Sequence, residues 1–220
     1  MKKLTQLAAA IAMTAGAMSA APVMAEGSWS ANVGLASEYY FRGLQQTSDA
    51  SASGGVDYEN GGFYAGVWAA DVSDGLEVDG YFGYGLETES GFGAGLGFTT
   101  YQYTGEFDSE YNEVNLNLSY GIVSLEYSVG EQDDDEGAGI AEESDYSFTA
   151  LTLSHNGFYG TYGSWGKDFD GEYVQLGYDT EIGGFDAGIA LIFNDEDTAA
   201  GDQDGHDEAI IFTLGKSFDL

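Results

Sequence analysis

The sequence predicts an all-β protein: an antiparallel transmembrane β-barrel of twelve strands, with short periplasmic turns and longer acidic outer loops. Three observations predict it. Segments of roughly ten residues alternate between apolar and polar side chains, the signature of membrane-spanning strands. Tight Gly- and Asn-containing turns alternate strictly with longer, mostly acidic links. The last eight residues keep the strand alternation to the final Leu220.

Residues 1–25 form a separate object. Lys2 and Lys3 precede an uncharged, Ala-rich stretch, and Val23-Met24-Ala25 supplies small residues at an exit site. This is the pattern of a secretory signal peptide, with cleavage expected before Glu26. The remaining domain, residues 26–220, keeps 3 basic residues against 38 acidic ones, a formal charge of -35. No later apolar run is long enough for a spanning helix.

Expected strands cover 29–40, 50–58, 63–72, 76–87, 92–103, 111–120, 122–131, 146–155, 158–165, 172–180, 185–193 and 208–218. In 29–40, Trp29, Ala31, Val33 and Leu35 share one face. In 76–87, Leu76, Val78, Phe82 and Leu86 oppose Glu77, Asp79, Tyr81 and Glu87. In 111–120, Val114, Leu116, Leu118 and Tyr120 oppose Glu113, Asn115, Asn117 and Ser119. A polar face this regular requires water or a polar lumen beside it. The glycines of 91–97 repeat with period two, so they line one face of a strand rather than cradle a phosphate.

Tight turns are expected at Glu59-Asn60-Gly61-Gly62, Thr88-Glu89-Ser90-Gly91, Gly121, Asn156-Gly157 and Glu181-Ile182-Gly183-Gly184. Asn-Gly and Gly-Gly supply the positive φ angles that two-residue hairpins demand. The longer links fall at 41–49, 73–75, 104–110, 132–145, 166–171 and 194–207. That sorting assigns one kind of connection to each rim, and an even strand number places both ends of the domain on the periplasmic rim. Aromatics near strand ends (Trp29, Tyr39, Tyr40, Phe41, Tyr58, Phe63, Phe92, Tyr101, Tyr103, Tyr120, Tyr146, Phe158, Phe185 and Phe193) are expected to form girdles at the two interfaces.

Composition narrows the function. Without Cys there is neither a disulfide nor a thiolate metal site. With 5 basic residues against 38 acidic, nucleic acid is not a partner. The acidity fits either a saline habitat or a cation-attracting lumen and mouth. No enzyme is expected: His155 and His206 fall on opposite rims and cannot share a site with a nucleophile. The acidic runs 133–136 and 195–208 contain oxygen ligands, but neither fits the twelve-residue calcium loop, so no metal and no cofactor is expected.

Thr213, Gly215, Phe218 and Leu220 fit the terminal β-signal read by the barrel-assembly machinery. The segment from Asn32-Val33-Gly34-Leu35 through Ser37-Glu38-Tyr39-Tyr40-Phe41-Arg42-Gly43, followed by Gly54-Gly55 and Gly62-Phe63-Tyr64-Ala65-Gly66-Val67-Trp68, resembles the TorF-like porins. That family, also written Gcw_chp, was earlier described as bacterial proteins of unknown function. Ala50-Ser51-Ala52-Ser53 departs from the Pro and Gln expected before the Gly pair. The resemblance implies an outer-membrane porin.

The expected activity is passive diffusion of small hydrophilic solutes, with cations preferred. Glu77, Asp79, Glu113, Asn115, Asn117 and Glu126 are the expected pore-lining residues. Arg42, the sole Arg of the chain, is either paired with a carboxylate or placed at a constriction. Inward glycines suggest room, which Tyr81, Tyr101 and Tyr103 can fill. Expected partners are outer-membrane lipid, the assembly machinery and the solutes themselves. The alternatives are a non-conducting structural or adhesive barrel and a soluble exported β-protein.

Overall fold

A computed structural model describes residues 27–195 and 208–220. The expected signal segment 1–25 and its cleavage point lie outside the described residues, as do His206 and most of the acidic link 194–207. The chain forms β1 (Ser28–Ala36), β2 (Tyr40–Phe41), β3 (Leu44–Gln45), β4 (Ser51–Asn60), β5 (Phe63–Asp71), β6 (Leu76–Glu87) and β7 (Phe92–Tyr103). It continues as β8 (Tyr111–Tyr120), β9 (Val123–Gln132), β10 (Ser144–His155), β11 (Phe158–Lys167), β12 (Glu172–Ile182), β13 (Phe185–Asn194) and β14 (Glu208–Asp219). Every strand but β2 and β3 joins one closed antiparallel barrel of twelve strands, sealed where β1 pairs with β14 from Ser30↔Asp219 to Ala36↔Thr213.

The five tight turns fall where the sequence places them. Asn60↔Phe63, Tyr120↔Val123, His155↔Phe158 and Ile182↔Phe185 each close a two-residue turn. At Asn156-Gly157 both φ angles are positive, 53° and 84°, which matches the strand twist and restricts the residues tolerated there. The start of β1 and the end of β14 lie on this same rim, because Ser28 pairs with Glu59 and Ser30 with Asp219.

Alternation sorts the side chains as the pattern requires. Val33, Leu35, Val67, Phe82, Leu96, Leu176 and Ile210 point outward and stay exposed. A water-soluble barrel would not carry so continuous an apolar exterior. At the turn rim the exterior closes with Trp29, Phe63, Tyr84, Phe92, Tyr120, Phe158, Tyr178, Phe185 and Phe218. Lys216 stands among them, its Nζ 4.9 Å from the Phe185 ring centre. This is one aromatic girdle, with a snorkelling cation in it.

Of the residues expected in the opposite girdle, only Phe193 stays exposed on the exterior. Tyr39, Tyr40, Tyr101 and Tyr146 are buried inside the barrel, and Phe41 and Tyr103 pack with them. The cause is that the first strand ends at Ala36, not at residue 40, and the segment expected as an outer link at 41–49 is not an outer loop. The segment turns into the barrel, where β2 and β3 pair as a miniature hairpin through Tyr40↔Gln45 and Phe41↔Leu44. Rings that would have lined the membrane surface instead pack against this insert.

Inward glycines are not spare volume. On neighbouring strands, tyrosine rings lie where a side chain would otherwise stand: Tyr173 over Gly163, Tyr159 over Gly177, and Tyr146 over Gly130. Each glycine lets a ring lie flat along the wall. Gly163→Val is therefore expected to displace the Tyr173 ring and destabilise the barrel by about 1–3 kcal/mol, the usual cost of overpacking. A urea titration of the barrel refolded into lipid vesicles measures it; an unchanged midpoint would contradict the seating role.

Candidate functional site in the barrel lumen

The interior face of β6 to β9 carries most of the ionisable groups that the alternation selects. Glu77 and Asp79 come from β6, Glu113, Asn115 and Asn117 from β8, and Glu126 from β9. Glu77, Asp79, Glu113 and Asn115 are buried; Asn117 and Glu126 are half-buried and stand opposite each other in the register. All six expected wall residues thus face the interior.

Arg42 reaches the same layer from the insert rather than from the wall. It occupies the hairpin tip with Gly43, and both residues have positive φ, 48° and 92°. That conformation is costly for a side chain with a Cβ, so the surroundings must hold it. Arg42 Nη1 donates to Glu113 Oε2 at 2.8 Å and Nη2 to Glu113 Oε1 at 2.9 Å, a two-pronged carboxylate pair. Nη2 also donates to Glu126 Oε1 at 2.5 Å and to Ser128 Oγ at 3.0 Å. The guanidinium lies 4.5 Å from the Phe148 ring centre and 4.9 Å from that of Phe41. Trp165 Nε1 donates to the Arg42 carbonyl at 3.0 Å, and Asn194 Nδ2 to the Gly43 carbonyl at 2.9 Å. Charge pairing, ring contacts and main-chain anchors from distant strands all fix one tip.

Glu113 is the hub of the layer. Besides the guanidinium it accepts from Tyr101 Oη at 2.7 Å, Tyr146 Oη at 2.9 Å and Asn115 Nδ2 at 2.6 Å. Glu77 accepts from Tyr39 Oη at 2.7 Å and Tyr103 Oη at 3.1 Å, so it ties the start of the insert to β6 and β7. Asp79 differs. It is 7 % exposed, and among the described residues no hydrogen-bond donor reaches its Oδ1. Above the layer, Asp108 in the link between β7 and β8 accepts from Tyr111 Oη and Gln132 Nε2, both at 2.8 Å. Burial pushes its carboxyl above the ordinary value against those bonds.

Towards the turn rim the lining changes. Asn32, Asp57, Asn117, Thr161 and Asp179 are inward, polar and half-buried. Asn32 Nδ2 donates to Asp57 at 3.3 Å, and Tyr81 Oη donates to the same carboxylate. The lumen is thus a polar vestibule on the turn side and, beyond it, a carboxylate-rich layer against which the insert packs. His155 sits at the turn rim beside Asn156, remote from that layer.

The insert is what sequence reasoning missed. Its signal was present: Tyr39-Tyr40-Phe41 breaks the alternation that a strand through residue 40 requires. Residues Tyr39 and Thr47 are therefore site residues not anticipated, Thr47 Oγ1 accepting from the Tyr39 amide at 2.9 Å.

The architecture defines a β-barrel with an apolar exterior and a charged lumen into which the β2–β3 insert folds. A family model described as "Bacterial protein of unknown function (Gcw_chp)" matches residues 19–218, and the chain belongs to that family. No curated protein matches. Among solved structures, the chain is similar to Pseudomonas aeruginosa OccK2 (OpdF) in complex with glucuronate, at 14% identity and TM-score 0.39, covering 79% of this chain and 58% of that one. It is similar to Pseudomonas aeruginosa OprD at 12% identity and TM-score 0.41, covering 94% and 72%. A BenF-like porin from Pseudomonas fluorescens Pf-5 gives 13% identity and TM-score 0.35, covering 79% and 56%. The chain thus spans less than two thirds of the length of OccK2 and of the BenF-like porin.

Proposed function

We propose that the protein is an outer-membrane porin that passes small hydrophilic solutes by diffusion and prefers cations. The observation that carries this reading is the pairing of an apolar exterior with a lumen holding Glu77, Asp79, Glu113 and Glu126 against the single guanidinium of Arg42. Closed barrels satisfy every strand edge in lipid, so the exterior suits a bilayer and the interior suits water. A lumen with excess fixed negative charge raises the local concentration of cations and repels anions. Glu77, Asp79, Glu113, Asn115, Asn117 and Glu126 are the proposed lining, and Arg42 the constriction. The signal segment supplies the export route. Phe218, exposed on the outer face of the last strand, and Leu220, exposed just beyond its end, present the proposed assembly signal to its machinery while Thr213 and Gly215 turn inward.

Reversal potentials in planar bilayers under a KCl gradient test the preference. The expected sign is cation-selective, moving towards zero in E77Q and E126Q. Equal passage of chloride would refute it.

The insert favours a second reading, a barrel that does not conduct. Tyr40 and Phe41 pack with Tyr146, Phe148 and Trp165 across the lumen. Folded protein that incorporates into bilayers without current steps would establish that reading instead.

A further inference from the structure

We propose that Asp79, flanked by Trp68 and Tyr101, is a seat for the ammonium group of a small organic cation. The proposal deepens the cation-preferring reading and rests on it for its role in the cell. Four carboxylates share the buried layer, and one positive group serves them. Arg42 is committed to Glu113, Glu126 and Ser128. Both oxygens of Glu77 are taken by the hydroxyls of Tyr39 and Tyr103. Of the four, Asp79 alone keeps a solvent-inaccessible oxygen that no donor reaches among the described residues, and the residue as a whole is only 7 % exposed. Glu77, Glu113 and Arg42 are its charged neighbours, two negative and one positive. An isolated buried carboxylate is unfavourable unless a positive partner compensates it.

The surroundings specify the kind of partner. Asp79 pairs across one strand boundary with Trp68 and across the other with Tyr101. Both rings are inward and buried, and directly opposed residues on one face hold their Cβ atoms within about 5.5 Å. The Tyr39 ring, from the insert, stands edge-on to Trp68 with ring centres 5.8 Å apart. A carboxylate between aromatic rings recognises an ammonium group by charge and by its attraction to ring faces. A divalent metal fits less well, since it takes several oxygen ligands and no three acidic or His side chains among the described residues are arranged closely enough to hold one.

The test uses the full barrel refolded in detergent micelles, with unfolding followed by heat-modifiable mobility. Methylammonium chloride and KCl are compared at equal ionic strength. Methylammonium is expected to raise the wild-type transition saturably and more than potassium, because a ligand that binds only the folded state stabilises it. D79N is expected to lose that saturable rise. W68L, which keeps the carboxylate and removes a ring, is expected to lose the preference over potassium, and it carries the test if D79N does not fold. Equal responses to the two salts, or a D79N response like that of the wild type, would overturn the proposal. So would stabilisation by acid alone with no dependence on either cation, which would make a proton the partner. The channel reading fails separately: a barrel without current that methylammonium still stabilises keeps the seat, whereas cation-selective current without that stabilisation removes the seat only.

Discussion

Replacing Arg42 by methionine is expected to lower the stability of the folded barrel by about 3–5 kcal/mol and to raise its single-channel conductance severalfold. The stability loss follows from the fate of Glu113. The residue is 1 % exposed, and its carboxylate receives both prongs of the guanidinium. Removing one partner of a buried pair leaves an uncompensated charge, and that costs about the stated amount. Methionine keeps much of the side-chain bulk against Phe148, so the effect isolates charge from packing. R42K should fall between the wild type and R42M, because an ammonium keeps a charge for Glu113 but cannot reproduce the planar fork that engages Glu113, Glu126 and Ser128 together. R42M with E113Q should recover part of the loss, since the double variant no longer strands a charge.

The conductance change follows from the same contacts. The tip of the insert is held by the guanidinium and by two main-chain hydrogen bonds, from Trp165 and Asn194. With the guanidinium gone, a strained tip at φ 48° loses its charge pairs with Glu113 and Glu126 and is left to the two main-chain anchors alone. Unfolding in urea with lipid vesicles reads the first effect, and planar-bilayer recordings the second. A variant as stable and as conducting as the wild type would show that Arg42 is a passenger in the lumen.

How much of this was legible in the sequence depends on the range of the interaction concerned. Strand identity is local: alternation from Leu76 to Glu87 and from Tyr111 to Tyr120 needs no distant information, and both segments are strands with those limits. Turns are local as well, because Asn156-Gly157 carries its own backbone requirement. The inward orientation of Glu77, Asp79 and Glu113 follows from parity once the face is known. The insert is not local. Arg42 meets Glu113 71 positions away, Glu126 84 away and Trp165 123 away. No periodicity encodes such meetings. They arise only when closure brings β8, β9 and β11 around one lumen. The seating of Tyr173 over Gly163 is hidden for the same reason, since it depends on the β11–β12 register. Composition gave the excess of glycine and tyrosine but not their apposition.

The apolar exterior leads to the other large effect, at Leu176. This residue lies midway along β12, points outward and is 50 % exposed. On a soluble protein, exchange of an exposed leucine for arginine is close to neutral, because water solvates the charge. On a barrel in a bilayer the same exchange near the midplane costs about 2–4 kcal/mol, because the guanidinium must enter hydrocarbon or draw water to it. L176R is therefore expected to shift the urea midpoint strongly in phospholipid vesicles. I182R, on the same strand at the turn rim, is expected to cost far less, since its side chain reaches the headgroup region. The contrast between the two positions is the informative quantity. General damage to β12 would depress both alike, whereas a hydrocarbon slab centred on the barrel penalises one and spares the other. Equal, small effects at Leu176 and Ile182 would mean that the apolar surface of this barrel meets something other than lipid.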